Sequence, residues 1–274
     1  TLSGSSAASD VYKRQTLRKE RESLGRQILM PDCTLRRNRM KNFELVQNVL
    51  SIVVMALFGV IIGLAMVPSY LLFIELTSMT EGKGGLVEAV GTCVGLGLGY
   101  IIWGVVLLAI CGLMGGLFRI RKEEGRYSLR SFITIQWAFS LVSHRVAQIF
   151  LGLVVPSFLA NLYYRMMGAK IGRGAQLNSM MINDASMVTI GDNVVVGGNA
   201  TINAHLVESG EIVLAPVRIG DGALIGGGSI VQPGCTIGNG AVVASRAVVP
   251  KWTEIPAGEV WGGIPARFIK KTGE

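Results

Sequence analysis

The chain contains little charge and almost no histidine. Only 16% of its 274 residues are charged and two are histidine, whereas soluble domains carry about 25% charged residues. A mean hydropathy of +0.48 excludes an ordinary water-soluble enzyme and a disordered chain. The four scattered cysteines form no CxxC pair, which excludes a disulfide framework and a zinc site. We therefore expect reduced, inert thiols and no metal site.

The chain has a formal charge of +8, and its basic residues are unevenly distributed along the sequence. Ten of the 26 basic residues fall within the first 41 positions, before any hydrophobic segment. This is typical of a membrane flank, and without an aromatic–basic platform we expect no nucleic-acid partner. Residues 1–15 lack an initiator Met and resemble a translated sequencing adaptor, so we expect them to be an artefact. Residues 16–44 are then a basic cytoplasmic segment.

Two long segments without charge follow. Leu45–Ile74 and Ala89–Phe118 each contain thirty such residues, and about 20 apolar residues cross a bilayer. They predict a transmembrane helical hairpin over 45–118, with Pro68 ending or bending the first helix. Glycines spaced by four, among them Gly91, Gly95 and Gly99, predict close helix approach. Basic flanks and an acidic loop place both ends in the cytoplasm. Buried helices of a soluble core are the alternative.

The third hydrophobic region lies within residues 119–167. Gln136, Ser140, His144 and Gln148 recur every four residues on an otherwise apolar helix, which favours interfacial or re-entrant helices. The second part, 146–164, is just long enough to span the membrane, and this alternative would move everything downstream to the other side.

From Ile171 onward the pattern repeats every six residues. Each block begins with an aliphatic residue, and a mostly small residue follows four positions later. Such a period fits short strands joined by sharp corners, and three blocks would make one triangular coil. The leading aliphatics are Ile171, Leu177, Ile190, Val196, Ile202, Ile219, Ile225, Val231, Ile237, Val243, Val249 and Ile255.

These repeats resemble the left-handed parallel β-helix of the hexapeptide acyltransferases, over about residues 168–272. A membrane helical region is followed by LYYRMMGAKIG, hexapeptide coils, ATINAH and WGGIPARFI. This order also resembles the C-terminal membrane region of poly-lysine-synthetase-type peptide synthetases. The fold implied is an α+β membrane protein: a transmembrane hairpin, interfacial helices, and a left-handed parallel β-helix over 168–274. The resemblance also implies a homotrimer, and possible upstream adenylation and carrier domains.

One histidine stands where acyl transfer needs a base. His205 ends the stretch GDNVVVGGNATINAH, just before a break in the repeat that begins at Val207. An imidazole is suited to proton transfer near neutral pH, and loops extruded from rigid coils commonly build substrate pockets. In galactoside and maltose O-acetyltransferases, which this stretch resembles, the base histidine stands about two residues further along. A structural histidine is the alternative.

The other site residues are weaker predictions. Glu208 is expected to orient His205, with a solvated loop carboxylate as the alternative. The resemblance implies that Asn199 is an active-site asparagine and that the N–H of Gly227 binds the oxyanion. It also implies that Ser245, Lys251, Arg267 and Lys270 line a coenzyme A groove, although each basic residue could equally be a plain surface charge.

The leading hypothesis is a membrane-anchored acyltransferase at the cell or plasma membrane, with its β-helix on the cytoplasmic side. It would move an acyl group, acetyl or aminoacyl, from acetyl-CoA or a phosphopantetheine thioester to a hydroxyl or amine. The alternative is a non-catalytic module that trimerises and tethers a larger peptide synthetase in the membrane lipid. A γ-class carbonic anhydrase needs three histidine ligands, and the repeat region has one histidine.

Overall fold

The computed structural model describes residues 48–49, 51–117 and 124–274. The predicted segments 1–15 and 16–44 lie outside the described residues. The chain forms two compact units, residues 1–60 and 61–274. The described part of the first unit is helical, and the contacts discussed below belong to the second.

Among the described residues, three helices are long and apolar enough to cross a membrane by length and composition: α1 (Ser51–Thr80), α2 (Gly85–Leu117) and α3 (Phe132–Val154). Helix α1 continues through Pro68 instead of ending there. The chain turns at Gly82 and Gly84, whose φ angles of 73° and 101° suit glycine. The proline does not end the helix, and the break falls where glycine permits a left-handed turn.

The predicted close approach between α1 and α2 is confirmed for one glycine stripe. A Cβ at Gly95 would lie 3.1 Å from the Phe73 ring, and one at Gly99 would lie 3.6 Å from the Ser69 carbonyl. At Gly63 a Cβ would meet nothing within 4 Å, so the small residue of α1 faces open space. The glycines of α2 therefore admit α1, as small residues do in lipid.

The region 119–167, in which interfacial or re-entrant helices are predicted, also contains a strand. Strand β1 (Gly125–Ser128) precedes α3, and α4 (Phe158–Met166) follows it. The Ser131 hydroxyl caps α3 by accepting a hydrogen bond from the Thr134 N–H. The N–H of the Gln148 side chain donates to the Met180 carbonyl at 3.0 Å, whereas Phe132 and Ile149 on α3 are exposed. Part of the polar stripe of α3 thus contacts the repeat region, whereas apolar side chains of α3 remain exposed on its surface.

The repeat region is a parallel β-helix built from three sheets. Short strands recur along the chain, and each pairs in parallel with the strand one coil away. The strands are β2 (Lys170–Ile171), β3 (Gln176–Leu177), β4 (Val188–Ile190), β5 (Val195–Val196), β6 (Thr201–Ile202), β9 (Val217–Ile219), β10 (Leu224–Ile225), β11 (Ile230–Val231), β12 (Thr236–Ile237), β13 (Val242–Val243), β14 (Val248–Val249), β15 (Glu254–Ile255), β16 (Glu259–Gly263) and β17 (Ala266–Lys271). One sheet has the order β17-β16-β13-β10-β5-β3, with β17 antiparallel; the others are β14-β11-β6 and β15-β12-β9-β4-β2.

The six-residue period is confirmed by burial. The leading aliphatics from Ile190 to Ile255 are at most 2% exposed, and small residues such as Ala200 and Ala241 are fully buried between them. Stacked aliphatics therefore fill the prism and small side chains fit its corners. The left-handed coiling implied by the resemblance stays a prediction.

The break in the repeat folds as a hairpin rather than as an irregular loop. Strands β7 (His205–Glu208) and β8 (Glu211–Leu214) pair antiparallel, and β1 pairs with β8 as a third strand. Ser209 and Gly210 form the turn with φ angles of 53° and 77°, as a type I′ hairpin turn requires. Strand β1, which follows α2 in the chain, thus forms one sheet with the hairpin that begins at His205.

Candidate active site

His205 forms a close pair with a carboxylate that the sequence did not indicate. Its Nδ1 lies 2.5 Å from Oδ2 of Asp184. The Asp184 side chain is 2% exposed and that of His205 is 20% exposed. Within the described ranges, Nε2 of His205 has no hydrogen-bond partner. A buried carboxylate therefore holds one ring nitrogen, and the other is left for a substrate proton.

Asp184 reaches His205 because their corners stack in successive coils. Ile182 forms a parallel bridge with Ile202, which places Asp184 beside Ala204. Asp184 has a φ of 58°, in the left-handed region that aspartate tolerates better than most residues. The N–H of Ala204 donates to Oδ2 of Asp184 at 3.1 Å. This hydrogen bond holds the carboxylate in place independently of its contact with the imidazole.

Helix α3 supplies a third member of this cluster. The indole N–H of Trp137 donates to Oδ1 of Asp184 at 2.9 Å. Its ring centroid lies 4.9 Å from that of His205, at 60°. The helix before the repeats therefore helps to orient the histidine of the second coil. We name Asp184, His205 and Trp137 the histidine cluster.

Glu208 does not take the orienting position that we expected. Its carboxylate pairs with Arg126 of β1 and with Nζ of Lys251, the latter at 2.6 Å. The hydrogen bond from Lys251, followed by its charge and that of Arg126, holds the pKa of Glu208 below its usual value. Asp184 occupies Nδ1 instead because stacked coils bring it there, whereas Glu208 continues into the hairpin. The ammonium of Lys251, predicted to line a coenzyme A groove, is thus bound to Glu208.

The remaining predicted residues gather mainly along another edge of the prism. Asn199 lies at the corner between β5 and β6, with a φ of 56°. Gly227 occupies the same corner one coil later, where a Cβ would lie 3.2 Å from the Gly198 carbonyl. Within the described part of the chain, its N–H makes no hydrogen bond. Ser245 is exposed at this corner in the next coil.

The antiparallel strand β17 carries the last two predicted residues. Arg267 pairs with Gly262, at the corner of the final coil, and Lys270 pairs with Val260 further back along the strand. Both side chains are exposed. Asn199, Gly227, Ser245 and Arg267 therefore follow one edge, which we name the asparagine edge.

The histidine cluster lies at the next corner, one face of the prism away. His205 follows β6, whereas Asn199 precedes it. The single chain therefore does not bring together the base and the predicted oxyanion donor. Lys251 follows β14, which stacks through β11 on β6, so it lies along the same edge of the prism as His205. It is therefore separate from the other three residues predicted to bind the cofactor.

The family comparison recognises the repeats. Residues 187–206 match the model described as "Hexapeptide repeat of succinyl-transferase", and residues 216–251 match "Bacterial transferase hexapeptide (six repeats)". The predicted resemblance to the hexapeptide-repeat transferases is confirmed.

Individual proteins are similar over parts of the chain. A delta-poly-L-ornithine synthetase of Acinetobacter baumannii is 28% identical over 145 residues, which cover 53% of this chain but only 11% of the synthetase. A maltose O-acetyltransferase from Clostridium difficile is 22% identical, with a TM-score of 0.45, over 60% of this chain and 100% of that one. A Vibrio cholerae hexapeptide-repeat acetyltransferase, solved with acetyl coenzyme A, is 19% identical with a TM-score of 0.44, over 58% and 99%.

Proposed function

We propose that the chain is a membrane-anchored acyltransferase in which His205 is the general base and Asp184 positions it. The observation that carries this is the buried carboxylate at Nδ1, which leaves Nε2 unpartnered within the described residues. A neutral imidazole that donates through Nδ1 to Asp184 accepts a proton at Nε2. The matched transferase repeats support a group transfer, and the donor expected from the resemblance is a thioester.

The reaction that fits these groups is attack by an amine or hydroxyl on the thioester carbonyl. His205 takes the nucleophile's proton as the new carbon–nitrogen or carbon–oxygen bond forms. The tetrahedral oxyanion accepts a hydrogen bond from the N–H of Gly227. The carbon–sulfur bond then breaks, and the imidazolium returns its proton to the departing thiolate. Acyl product and thiol are the only products, so no oxidant or metal is needed.

The two edges of the prism call for more than one copy of the β-helix. His205 and Gly227 lie at different corners of one chain, but the asparagine edge of a neighbouring copy can face the histidine cluster. The homotrimer implied by the resemblance would form three such clefts. The exposed Arg267 on that edge suits a phosphate of coenzyme A or phosphopantetheine, whereas Lys251, bound to Glu208, is not proposed as a ligand.

The hairpin of α1 and α2 is proposed as the anchor, with the β-helix on the cytoplasmic side, where thioesters are available. The apolar face of α3 would then lie against the membrane surface. The similar Acinetobacter baumannii protein is named as a poly-L-ornithine synthetase. Transfer of an aminoacyl group to an amine is therefore the reaction to compare with acetyl transfer.

The test uses detergent-purified full chain with acetyl-CoA and panels of amines and hydroxyl acceptors, read as thiol release. His205→Gln should abolish transfer while size-exclusion chromatography shows an unchanged oligomer. Gln176→Ala is the matched control, because Gln176 is likewise a polar residue on a strand of the repeat region but is exposed and lies away from the histidine cluster. Calorimetric titration of acetyl-CoA should show saturable binding. Absence of binding and of transfer would favour the non-catalytic trimerising and tethering module.

A further inference from the structure

The first coil of the β-helix is irregular in the stretch that carries Asp184. Between β3 and β4, residues 178–187 form one bridge, from Ile182 to Ile202, and a 3-10 turn over Ala185–Met187. On the same face, the later coils have the two-residue strands β6, β11 and β14, which stack in parallel. Because strand pairing holds this stretch at a single residue, its carbonyl groups need other partners.

Helices α3 and α4 supply those partners from outside the repeat. The side-chain N–H of Gln148 donates to the Met180 carbonyl at 3.0 Å, and Nε2 of His144 lies 3.2 Å from the same oxygen. The Tyr164 hydroxyl donates to the Ser179 carbonyl at 3.2 Å. His144 and Tyr164 are both buried, where an unsatisfied partner is costly. The two helices therefore fix the main chain immediately before the carboxylate of the histidine cluster.

Trp137 lies on the same face of α3 and reaches this carboxylate itself. It precedes His144 by about two helical turns and Gln148 by about three, so the three side chains form one row. Its indole N–H donates to Oδ1 of Asp184, whereas Oδ2 faces Nδ1 of His205. Within the described residues, Oδ1 has no other hydrogen-bond partner. Each carboxylate oxygen thus has its own neighbour, and the carboxylate cannot turn without losing one.

The orientation of the imidazole therefore depends on this row of contacts. If Oδ1 loses its donor, a buried carboxylate oxygen is left unsatisfied, and rotation toward another donor becomes favourable. Rotation moves Oδ2 away from Nδ1, and the imidazole then loses its preference for carrying the proton there. Displacement of residues 180–184 as a whole has the same effect, because Asp184 moves with them. Contacts at the far end of α3 can thus act on His205.

We propose that α3 sets the position of the general base, directly through Trp137 and from a distance through Gln148. Both are positioning residues: Trp137 acts on His205 through Asp184, and Gln148 acts through Met180 and the main chain that follows it. This inference rests on the proposed function, in which His205 removes the proton of the nucleophile. The helix before the repeats is then part of the machinery for transfer as well as a contact with the membrane surface.

The kinetic experiment measures thiol release by the full chain in detergent, with acetyl-CoA and the best acceptor of the wild type. Trp137→Phe removes the indole N–H and keeps an aromatic ring. Its kcat should fall about 10-fold, which is part of the roughly 10²–10⁴-fold that a general base contributes. Gln148→Leu, whose effect is indirect, should lower kcat severalfold. In both variants the KM for acetyl-CoA should stay within about twofold, because the donor is expected on the asparagine edge.

Two controls remove equivalent contacts elsewhere. Trp252→Phe also deletes an indole N–H that donates to a carboxylate, in this case that of Glu124 at 3.2 Å. Asn161→Leu deletes a helix side-chain N–H that donates to a carbonyl of the first coil, that of Ala175 at 2.9 Å. Ala175 precedes β3 and lies outside the irregular stretch. Both controls should keep the kcat of the wild type.

Nuclear magnetic resonance tests the position of the base without turnover. The chain has two histidines, so ¹⁵N-histidine labelling gives two imidazole rings, and His205→Gln assigns their signals. At about pH 9, well above the usual pKa of an imidazole, Nδ1 of His205 should carry the proton and Nε2 should be bare. Trp137→Phe and Gln148→Leu should shift both ¹⁵N resonances of His205 toward the other tautomer, and the two controls should not. A role in folding alone would leave the tautomer unchanged.

The outcomes separate this inference from the proposed function. Transfer that persists in His205→Gln would overturn the proposed function and this inference with it. If His205→Gln is inactive but Trp137→Phe keeps more than half of the wild-type kcat and its tautomer, α3 does not position the base. Equal losses in Asn161→Leu and Gln148→Leu would refute the role of Gln148 and show a general loosening of the first coil. Circular dichroism should match the wild type; if Trp137→Phe does not fold, Gln148→Leu, about 16 Å away along α3, decides the question.

Discussion

Asp184→Asn isolates the role of the carboxylate that holds His205. Asparagine keeps an oxygen for the Trp137 N–H and tolerates the φ of 58° found at this position. Its amide nitrogen, however, donates where Asp184 accepts. Nδ1 of His205 must then accept, its proton moves to Nε2, and Nε2 can no longer act as a base.

The expected loss follows from the role of the base. A general base contributes about 10²–10⁴-fold to rate, so kcat should fall at least about 100-fold. The N–H of Ala204 also loses its acceptor at Oδ2, which should lower the free energy of unfolding by about 1–3 kcal/mol. The chain should stay folded while transfer nearly stops.

The assay is thiol release from acetyl-CoA with the best acceptor for the wild type, measured between pH 5 and 9. The rate of the variant should lie at least about 100-fold below that of the wild type. Asp192→Asn is the control: Asp192 is also a corner carboxylate, bound to the Arg173 N–H, and its loss should leave the rate within twofold. If Asp184→Asn keeps more than half of the wild-type rate while His205→Gln has none, the carboxylate does not position the base.

Three further outcomes are expected. Ile225→Ala in the core should cost about 2–5 kcal/mol of unfolding free energy by urea titration, whereas Leu224→Ala in the same strand, at an exposed side chain, should cost about 0.5 kcal/mol or less; equal losses would contradict the core assignment. Because the pKa of Glu208 is lowered in the folded chain, its ion pairs stabilise the hairpin fully above the unfolded pKa, near 4.5. This stabilisation is lost as the pH falls through the lower folded pKa, and the amide hydrogens of β7 should then exchange faster. Glu208→Gln should remove this pH dependence. Burial raises the pKa of the Cys235 thiol, so iodoacetamide should modify it only after unfolding; rapid labelling of folded chain would contradict this.

The sequence alone was sufficient for the elements that depend on local periodicity. A six-residue repeat of aliphatics led by Ile190, Val196 and Ile202 predicts short strands and corners, because each residue's environment recurs with the coil. Likewise, thirty residues without charge predict long apolar helices. The Ser209–Gly210 turn was also legible in HLVE-SG-EIVL as a hairpin signal, although the prediction there was only a loop.

The active-site partners depended on the tertiary structure. Asp184 stands 21 residues before His205 in the chain and reaches it only because one coil stacks on the next. Trp137 comes from a helix that precedes the repeats, so its spacing carries no information about the site. The same stacking separates His205 from Gly227 by one face of the prism. Periodicity fixes which residues face inward, but the number of residues in each coil decides which corners meet.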